Sequence, residues 1–291
     1  MHRRIGVAAG AAALLLTLAG CGGGGSSGSG GGTASGTGSP AAAGGVGGGG
    51  GGSGSGAAAG AAVWSKWGLK PLPPAPAAPA DRPIKLSRTG PVPVFSRVPT
   101  TQRVVFITID DGLVKDPRFV EMERELHVPI TMFLMNDAIK DDYGYFRSLQ
   151  ALGYSIQNHT LHHPVMSRLG LAQQRNEICG DQKILTAEYG TAPYLFRPPY
   201  GAYDRATREA VRACGPAAIV YWTDTMEITG IRYQNGRLRP GDIILAHFRG
   251  PQQLKGERMT AMFANMVKRI EEQGFTVGRL DDYISRPGQA G

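Results

Sequence analysis

The sequence predicts an α/β fold built on parallel β-strands, preceded by a long N-terminal region that does not form a core. From about residue 99 onward, short apolar runs alternate with segments of helical spacing, which is the pattern of repeated β-α units. The first third of the chain, in contrast, holds most of the glycine and about half of the proline, of which the 291 residues contain 43 and 20. We therefore expect a single folded domain over residues 101–286 and no second one.

The N-terminus has the form of an export signal. Arg3 and Arg4 precede a short apolar stretch that ends in Leu-Ala-Gly-Cys at Cys21. This stretch is shorter than the roughly 20 residues that a membrane-spanning helix needs, so we expect residues 1–20 to be a secretory signal peptide. Its ending also resembles a bacterial lipobox, which implies a lipid on Cys21 and anchoring on the outer face of the cytoplasmic membrane. An ordinary cleaved signal with a free cysteine is the alternative.

Two regions of biased composition follow the signal. Residues 21–63 are mainly Gly, Ser, Ala and Thr, which offer almost nothing to bury, so we expect a disordered, flexible tether. Residues 64–100 contain Trp64 and Trp67 and then a series of prolines, which favours extended polyproline geometry along the domain surface or as a stiff spacer. We expect the tryptophans to pack against the domain; stacking on sugar rings is the alternative.

The cysteine count suits an exported protein. If Cys21 carries lipid, Cys179 and Cys214 are the two that remain of three, and in an oxidising compartment they are a natural pair. Such a disulfide would close a loop of roughly 35 residues, worth about 3 to 4 kcal/mol in the chain-entropy model. Two buried free thiols are the alternative.

The formal net charge of +8 has little diagnostic value. Basic residues are scattered along the chain and are not interleaved with aromatic residues, so nucleic acid is not an expected partner. An excess of this size suits an anionic cell wall, but many secreted proteins that bind nothing acidic have the same charge.

The folded domain can be divided into strands and helices by its periodicity. Strands are predicted over residues 104–110, 130–135, 155–160, 194–198, 218–223, 242–248 and 276–280. Helices are predicted over residues 117–126, 145–152, 173–189, 205–213 and 256–273. Asp204 has the position of a helix cap, and Gly215 that of the left-handed residue that ends the same helix. Polar motifs fall at the carboxyl ends of the strands, where parallel barrels gather their functional groups.

The first motif places two carboxylates at the end of an apolar strand. Asp110 and Asp111 follow residues 104–109, and Gly112 permits a tight turn through which both acids can face one pocket. Two crowded carboxylates need positive partners, and a metal ion on one with an arginine on the other would supply them. On its own, Asp-Asp-Gly is typical of a solvated turn.

The second motif contains three histidines. His159 and His163 are four residues apart, a spacing that puts both imidazoles on one face of a helical turn and suits a single metal ion. Together with Asp111 they form a His-His-Asp set that leaves a coordination position open for water. His162 would point elsewhere and serve a structural role.

The third and fourth motifs supply an arginine, a backbone donor and a histidine. Arg197 can pair with an acid in a bidentate manner, and two prolines stiffen the chain after it. The next free N–H belongs to Tyr200 and could be aimed at an oxyanion. His247 ends an apolar strand and could protonate a leaving group if a neighbouring carboxylate keeps it charged.

In their order and spacing, these motifs resemble the polysaccharide deacetylases, the carbohydrate esterase family that includes the nodulation-type chitooligosaccharide deacetylases. The resemblance covers about residues 101–285 and implies a distorted, TIM-like (β/α) barrel. The implied roles are Asp110 as the catalytic base, Asp111, His159 and His163 as ligands of one divalent metal ion, for which Zn²⁺ is expected, Arg197 as the residue that orients the base, Tyr200 as the backbone oxyanion donor and His247 as the acid.

One motif departs from the family pattern. Where the family has Asp-x-x-Asp-Trp, this chain reads Asp-Thr-Met-Glu-Ile over residues 224–228. Glu227 could reach His247 with its extra methylene and orient it, and Asp224 is a second candidate for that role. Ile228 removes the aromatic wall that the family's tryptophan would form.

The resemblance implies an enzyme that removes acetyl groups from the N-acetylhexosamine units of a cell-wall or extracellular polysaccharide, peptidoglycan or a chitin-like polymer. Tyr200, Trp222 and Leu245 are the implied substrate contacts. The expected partners are this polysaccharide and, through Cys21, the membrane, with the protein a monomer. An O-deacetylase of xylan or another polysaccharide is one alternative, and a non-catalytic wall-binding protein with a retained barrel is another.

Overall fold

A computed structural model of the chain describes residues 53–286. The described residues form helices α1 (Ser53–Lys66), α2 (Pro117–Leu126), α3 (Asn136–Ile139), α4 (Tyr143–Gln150), α5 (Leu171–Tyr189), α6 (Arg205–Cys214) and α7 (Met259–Glu272). Their strands are β1 (Ile84–Lys85), β2 (Val94–Phe95), β3 (Val104–Asp111), β4 (Ile130–Leu134), β5 (Ser155–Asn158), β6 (Leu195–Phe196), β7 (Ala218–Val220), β8 (Asp224–Met226), β9 (Ile231–Arg232), β10 (Ile243–His247), β11 (Thr276–Val277) and β12 (Ile284–Ser285).

One curled sheet organises the domain. Its strand order is β2-β7-β6-β5-β4-β3-β10-β8-β9, and β11 also pairs with β3. All neighbours are parallel except β8 and β9. After β2 the chain crosses towards β10, where Arg97 forms a bridge with Asp242 and Val98 N donates to Gly241 O at 2.8 Å. The predicted α/β fold, a distorted (β/α) barrel, is confirmed.

Strand β3 lies at the centre of the sheet because it pairs with β4, β10 and β11. All eight of its residues are buried, as expected for a parallel strand with both faces covered. An aromatic cluster lies between α2, α4 and α7. In it, Phe119 packs edge-on against Phe263 at 5.1 Å between ring centroids, and Phe146 packs against Phe248 at 5.2 Å. The sheet therefore has a rigid central strand from which to project polar side chains.

The helix boundaries follow capping residues. Asp204 accepts from Thr207 N at 2.8 Å at the start of α6, and Gly215 ends that helix with a positive φ of 111°. Helix α4 begins two residues earlier than predicted because Asp142 caps it by accepting from Tyr145 N at 3.0 Å. The last residue of α6, Cys214, is joined to Cys179 of α5 in a disulfide with a Cα–Cα distance of 4.7 Å, which is the predicted pair.

The predicted tether is wrong for its last part, because residues from 53 onward form helix α1. Alanine is frequent there and favours helix. Lys66 pairs with Glu121 and Glu125 of α2 at 2.8 and 2.7 Å, and Trp67 Nε1 donates to Glu125 at 2.7 Å. Trp64 and Trp67 also pack on the hydrophobic core, so the prediction that they contact the domain is confirmed.

The proline-rich segment is part of the sheet structure and is not only a spacer. Strand β1 pairs with β12, and β2 pairs with β7 at one end of the main sheet. The predicted domain boundary at residue 101 is therefore too late. Two-residue strands among prolines leave too short an apolar pattern to be recognised in the sequence.

Several predictions concern residues outside the described part of the chain. These are the signal peptide over residues 1–20, the lipid on Cys21 and the tether as far as residue 52, and they stay predictions. Among residues 53–286, no helix is both long enough and apolar enough to cross a membrane.

Candidate active site

The predicted site residues meet at the carboxyl edge of the sheet. Asp110 and Asp111 end β3, and His247 ends β10 as the register partner of Asp110. His159 follows β5 directly, and Arg197 follows β6. Because these strands are parallel, their carboxyl ends converge on one edge, and side chains distant in sequence become neighbours there.

Both carboxylates face the same side because the backbone turns at Asp111 itself. Its φ is 74°, in the left-handed region, and Gly112 follows with a φ of 95°. The prediction assigned this turn to the glycine alone. Gly112 is also tightly packed, because a Cβ added to it would lie 2.9 Å from Phe146 Cζ and still closer to Ile139. The two acids are thus held together by a backbone conformation that costs free energy in a non-glycine residue.

The histidines come from a loop, so the predicted helical turn is wrong. After β5 the chain takes left-handed conformations at Thr160 (φ 77°) and His163 (φ 57°). Asp111 Oδ1 lies 3.6 Å from His159 Nε2 and 3.4 Å from His163 Nε2. Ligand atoms of these three residues all lie within 4.8 Å of one another.

The donor set fits a divalent cation. Asp111 Oδ1 is buried and has no hydrogen-bond partner among the described residues, which is costly unless a cation binds it. His159 Nδ1 lies 2.7 Å from Arg197 O, so Nδ1–H donates to that carbonyl and Nε2 keeps its lone pair facing Asp111. Two imidazole nitrogens and one carboxylate oxygen are a ligand set that suits zinc.

The charges of the cluster depend on burial and on neighbouring groups. Burial acts to raise the pKa of Asp111, but the nearby imidazoles of His159, His247 and His163 lower it to about 2. Burial acts to lower the pKa of His159, yet Asp110 and Asp111 raise it overall. Burial, aided by His159, lowers the pKa of His163. Asp111 is therefore ionised at neutral pH and available as an anionic ligand.

Arg197 is fully buried and connects the acid to the barrel wall. Its Nη1 donates to Asp110 Oδ1 at 2.7 Å and to Thr108 Oγ1 at 2.8 Å. Its other nitrogens donate to Val220 O at 3.1 Å and Tyr221 O at 3.2 Å. The predicted bidentate pairing is wrong, because a single nitrogen reaches the carboxylate and the rest of the guanidinium fork is held by backbone carbonyls. This leaves Asp110 Oδ2 free of Arg197, at 3.7 Å from His159 Nε2.

Tyr200 forms one wall of the site. It lies in the turn Pro199–Gly201 with a φ of 59°, and its side chain is 70% exposed, with the ring 4.7 Å from that of His163. The N–H groups of Gly201 and Ala202 donate within this turn, whereas Tyr200 N–H has no acceptor among the described residues. A backbone donor is therefore left available beside the cluster.

The other two predicted substrate contacts differ in accessibility. Trp222 is partly exposed, stacks on Tyr221 at 5.5 Å and lies close to Gly201, so it extends the wall that Tyr200 begins. Leu245 lies on β10 two residues before His247 and is 6% exposed. It can offer a substrate only a small apolar area at the floor of the site.

His247 is present at the site, but neither predicted orienting acid forms a hydrogen bond with it. Glu227 pairs with Arg232 across the β8-β9 hairpin at 3.1 Å and is largely exposed, so its predicted role is wrong. Asp224 is buried and accepts from Gln234 N at 2.9 Å; burial, with the nearby Asp242, raises its pKa to about 6. Burial lowers the pKa of His247, while Asp110 and Asp111 act to raise it. A small cavity of about 110 Å³ lies beside this histidine.

The sequence did not reveal the residues that hold the histidine loop. Asp181 on α5 is buried and accepts from His159 N at 3.2 Å. Asn158 donates to Ile178 O at 2.9 Å and accepts from Thr160 N at 3.1 Å. Asp181 could have been found as a carboxylate on the apolar face of a helix. His162, as predicted, does not join the cluster: it is exposed and pairs with Glu177 of α5 at 2.8 Å.

Comparison with known sequences agrees with this arrangement. A family model described as polysaccharide deacetylase matches residues 97–219, which include Asp110, Asp111, His159, His163 and Arg197. An uncharacterized protein of Streptomyces coelicolor is 40% identical over 212 residues, covering 72% of this chain and 82% of the relative. Polysaccharide deacetylases are a class of hydrolases that act on carbohydrates. The chain belongs to the polysaccharide deacetylase family.

Other relatives are more distant. The peptidoglycan-N-acetylglucosamine deacetylase of Bacillus cereus is 28% identical over 168 residues, covering 54% of this chain and 60% of the relative. A solved peptidoglycan N-acetylglucosamine deacetylase superposes with a TM-score of 0.56 at 22% identity, covering 67% and 93% of the two chains. A family 4 carbohydrate esterase pseudoenzyme from Bacillus anthracis superposes with a TM-score of 0.55 at 20% identity, covering 66% and 69%. These superpositions establish the fold.

Proposed function

We propose that this protein is a metal-dependent N-deacetylase of N-acetylhexosamine units in a cell-wall polysaccharide, with peptidoglycan as the substrate. The observation that carries the proposal is the convergence of Asp111, His159 and His163 beside an acid that is itself held by Arg197. A structural metal site would not need the second carboxylate, Asp110, aimed at the same pocket.

The three clustered residues would hold the metal ion, and Zn²⁺ is the proposed ion. When bound, such an ion lowers the pKa of a coordinated water and polarises the acetyl carbonyl. Asp110 then removes the proton of the attacking water, because Arg197 fixes its orientation and leaves Oδ2 free. The Tyr200 N–H donates to the developing oxyanion.

His247 completes the reaction by protonating the departing nitrogen. The C–N bond breaks, and acetate and a free amino sugar leave. The charges of Asp110 and Asp111 favour the protonated imidazole, and burial opposes it. No described carboxylate hydrogen-bonds to His247, so these two acids are the charges that favour its protonated form, and burial outweighs them and leaves its pKa lowered.

The test is acetate release across a panel of polymers. Purified protein would be incubated with peptidoglycan, chitooligosaccharides and acetylated xylan, with and without a chelator, and with Zn²⁺ restored. Release from the N-acetylated polymers that stops with chelator and returns with Zn²⁺ is the expected result. Release from xylan alone would favour the O-deacetylase alternative. Binding to the wall polymer without any release would favour a non-catalytic role, for which a pseudoenzyme of the same fold is a precedent.

We further propose that the protein is exported, lipid-anchored at Cys21 and monomeric. The sequence of residues 1–21 supports export and lipidation, and the Cys179–Cys214 disulfide suits an oxidising compartment. Cys21→Ala should move the protein from the membrane fraction to the soluble exported fraction. Equal membrane retention of the variant would contradict the anchor.

A further inference from the structure

A second cleft lies at the end of the sheet opposite the candidate active site. Arg103 directly precedes β3, Pro240 lies shortly before β10 and Phe275 directly precedes β11, and all three line this cleft. Asp110 and His247, in contrast, lie at the carboxyl ends of β3 and β10. Because β3 has eight residues, the two ends are roughly 25 Å apart. The cleft has a volume of about 750 Å³, enough for a small ligand.

Four arginines line the cleft, and none of the described residues that line it is acidic. They are Arg97, Arg103, Arg237 and Arg239. Arg97 is neutralised because it pairs with the buried Asp242. The side chains of the other three have no carboxylate partner among residues 53–286, so about three positive charges line one recess. Charges of one sign in a cleft with low-dielectric walls concentrate the field and attract counter-ions.

The arginines differ in how firmly they are held. Arg103 donates from Nε to Gly274 O at 3.0 Å and from Nη2 to Gln273 O, and its guanidinium lies 4.4 Å from the ring of Phe275. Backbone carbonyls fix its position without cancelling its charge. Arg237 and Arg239 are exposed, and their guanidinium groups have no hydrogen-bond or ion-pair partner among residues 53–286. One fixed and two unengaged guanidinium groups therefore flank the same space.

This arrangement matches a phosphate group better than a carboxylate. A guanidinium presents a planar fork of donors that binds phosphate or carboxylate oxygens. One arginine satisfies both oxygens of a carboxylate, whereas the several oxygens around one phosphorus can be shared by two or three arginines. Leu238 and Phe275 add apolar wall to the cleft, which accommodates the carbon part of an ester.

We propose that this cleft is a binding site for a phosphate ester, separate from the active site. A lipid headgroup and a phosphate-bearing wall polymer offer the same chemistry. With a phosphate bound at the amino end of β3 and β10, the active site at their carboxyl end faces away from the surface that carries the phosphate. The proposal does not depend on the deacetylase activity.

The experiment uses the protein with Cys21→Ala, so that a lipid at residue 21 does not itself bind the vesicles, and two probes. Binding of glycerol phosphate is measured by calorimetry, and binding to phosphatidylglycerol-containing vesicles is measured by sedimentation against pure phosphatidylcholine vesicles. The test variant is Arg237→Gln/Arg239→Gln. The matched control is Arg124→Gln/Lys183→Gln, which removes the same charge from exposed residues of α2 and α5. Melting temperatures check that both variants fold, and acetate release from a short soluble oligosaccharide checks that the active site is intact.

The parent protein is expected to bind glycerol phosphate. The test variant should bind it about tenfold more weakly, because it loses hydrogen bonds to a charged group, and the control variant should bind it as the parent does. Acetate should not compete. Additional loss of vesicle binding in the test variant identifies a lipid headgroup as the source, whereas vesicle binding absent from every form identifies a soluble or wall-borne phosphate. Absence of glycerol phosphate binding, equal binding in the two variants, or equal competition by acetate would overturn the proposal.

Discussion

Arg197 donates from Nη1 to Asp110 Oδ1 at 2.7 Å, and both side chains are almost completely buried. A buried ion pair of this kind fixes the direction of the acid, because moving either partner would leave an uncompensated charge. It also leaves the second oxygen of Asp110 to act on another group.

Asp110→Asn tests the role of this acid. Loss of a general base should lower acetate release by about 10²- to 10⁴-fold while the metal content stays unchanged, because Asp111, His159 and His163 are retained. The matched control is Asp141→Asn, a change at an exposed carboxylate. Metal content measured by atomic absorption separates the two effects. Full activity in Asp110→Asn would remove Asp110 from the mechanism.

The histidine loop offers a matched pair of substitutions. His159→Ala should abolish both metal binding and activity, because it removes one of three ligands. His162→Ala should keep both, since this exposed residue pairs with Glu177 outside the cluster. Metal titration of the two variants against the parent protein is the measurement. Equal metal affinity in the two variants would contradict the proposed ligand set.

The disulfide should contribute to stability. Replacing both Cys179 and Cys214 by serine should lower the free energy of unfolding by about 3 kcal/mol, since the bond closes a loop with a sequence separation of 35 residues. Urea unfolding of the variant is compared with that of the parent protein under a reductant. The variant and the reduced parent should have the same free energy of unfolding. If both are as stable as the oxidised parent protein, the disulfide does not contribute to stability.

Gly112→Ala should destabilise the domain because of a steric clash as well as backbone strain. Gly90 also has a positive φ, 75°, but nothing lies within 4 Å of a Cβ added there. Gly90→Ala therefore reports strain alone, on the order of 1 kcal/mol. Gly112→Ala should cost several kcal/mol more because it forces Ile139 and Phe146 to move. Similar melting temperatures for the two variants would contradict this packing argument.

Glu123 should make stability depend on pH. It is fully buried, and burial raises its pKa to about 8, although Tyr154 donates to it at 2.6 Å and opposes the shift. Since the folded pKa lies above the unfolded value, this contribution to stability is complete below about pH 4.5 and is lost as the pH rises through about 8. Glu123→Gln should remove that loss, whereas Glu209→Gln, at an exposed residue, should keep it. Urea unfolding from pH 5 to 9 is the measurement, and identical slopes for the two variants would refute the assignment.

The fold class and the convergence of the candidate catalytic residues could both be predicted from the sequence. Apolar runs of strand length identify β3 and β10, and parallel strands bring their carboxyl ends to one edge, so Asp110 and His247 were expected at the same edge. The same reasoning brought the histidine and arginine motifs to that edge. Placing these motifs at that edge required only the pattern of strands along the chain and no knowledge of side-chain geometry.

Other features depend on tertiary context that periodicity does not carry. Helix α1 is stabilised by contacts of Trp67 and Lys66 with α2, which the composition of a glycine-rich segment conceals. Glu227 was expected to reach His247 with its extra methylene, yet it pairs with Arg232 across the β8-β9 hairpin. The position of Glu227 in the hairpin therefore determines its partner, and the length of its side chain does not.

The left-handed backbone at Asp111, Thr160, His163 and Tyr200 restricts how this pocket can be re-engineered. Side chains branched at Cβ are disfavoured in that conformation, which makes Thr160 the exception among the four, whereas asparagine, aspartate and glycine tolerate it. In a library randomised at these four codons, most variants will therefore be destabilised, and few will be left to test for activity. Variation is better directed to Trp222 and Ile228, neither of which has a positive φ.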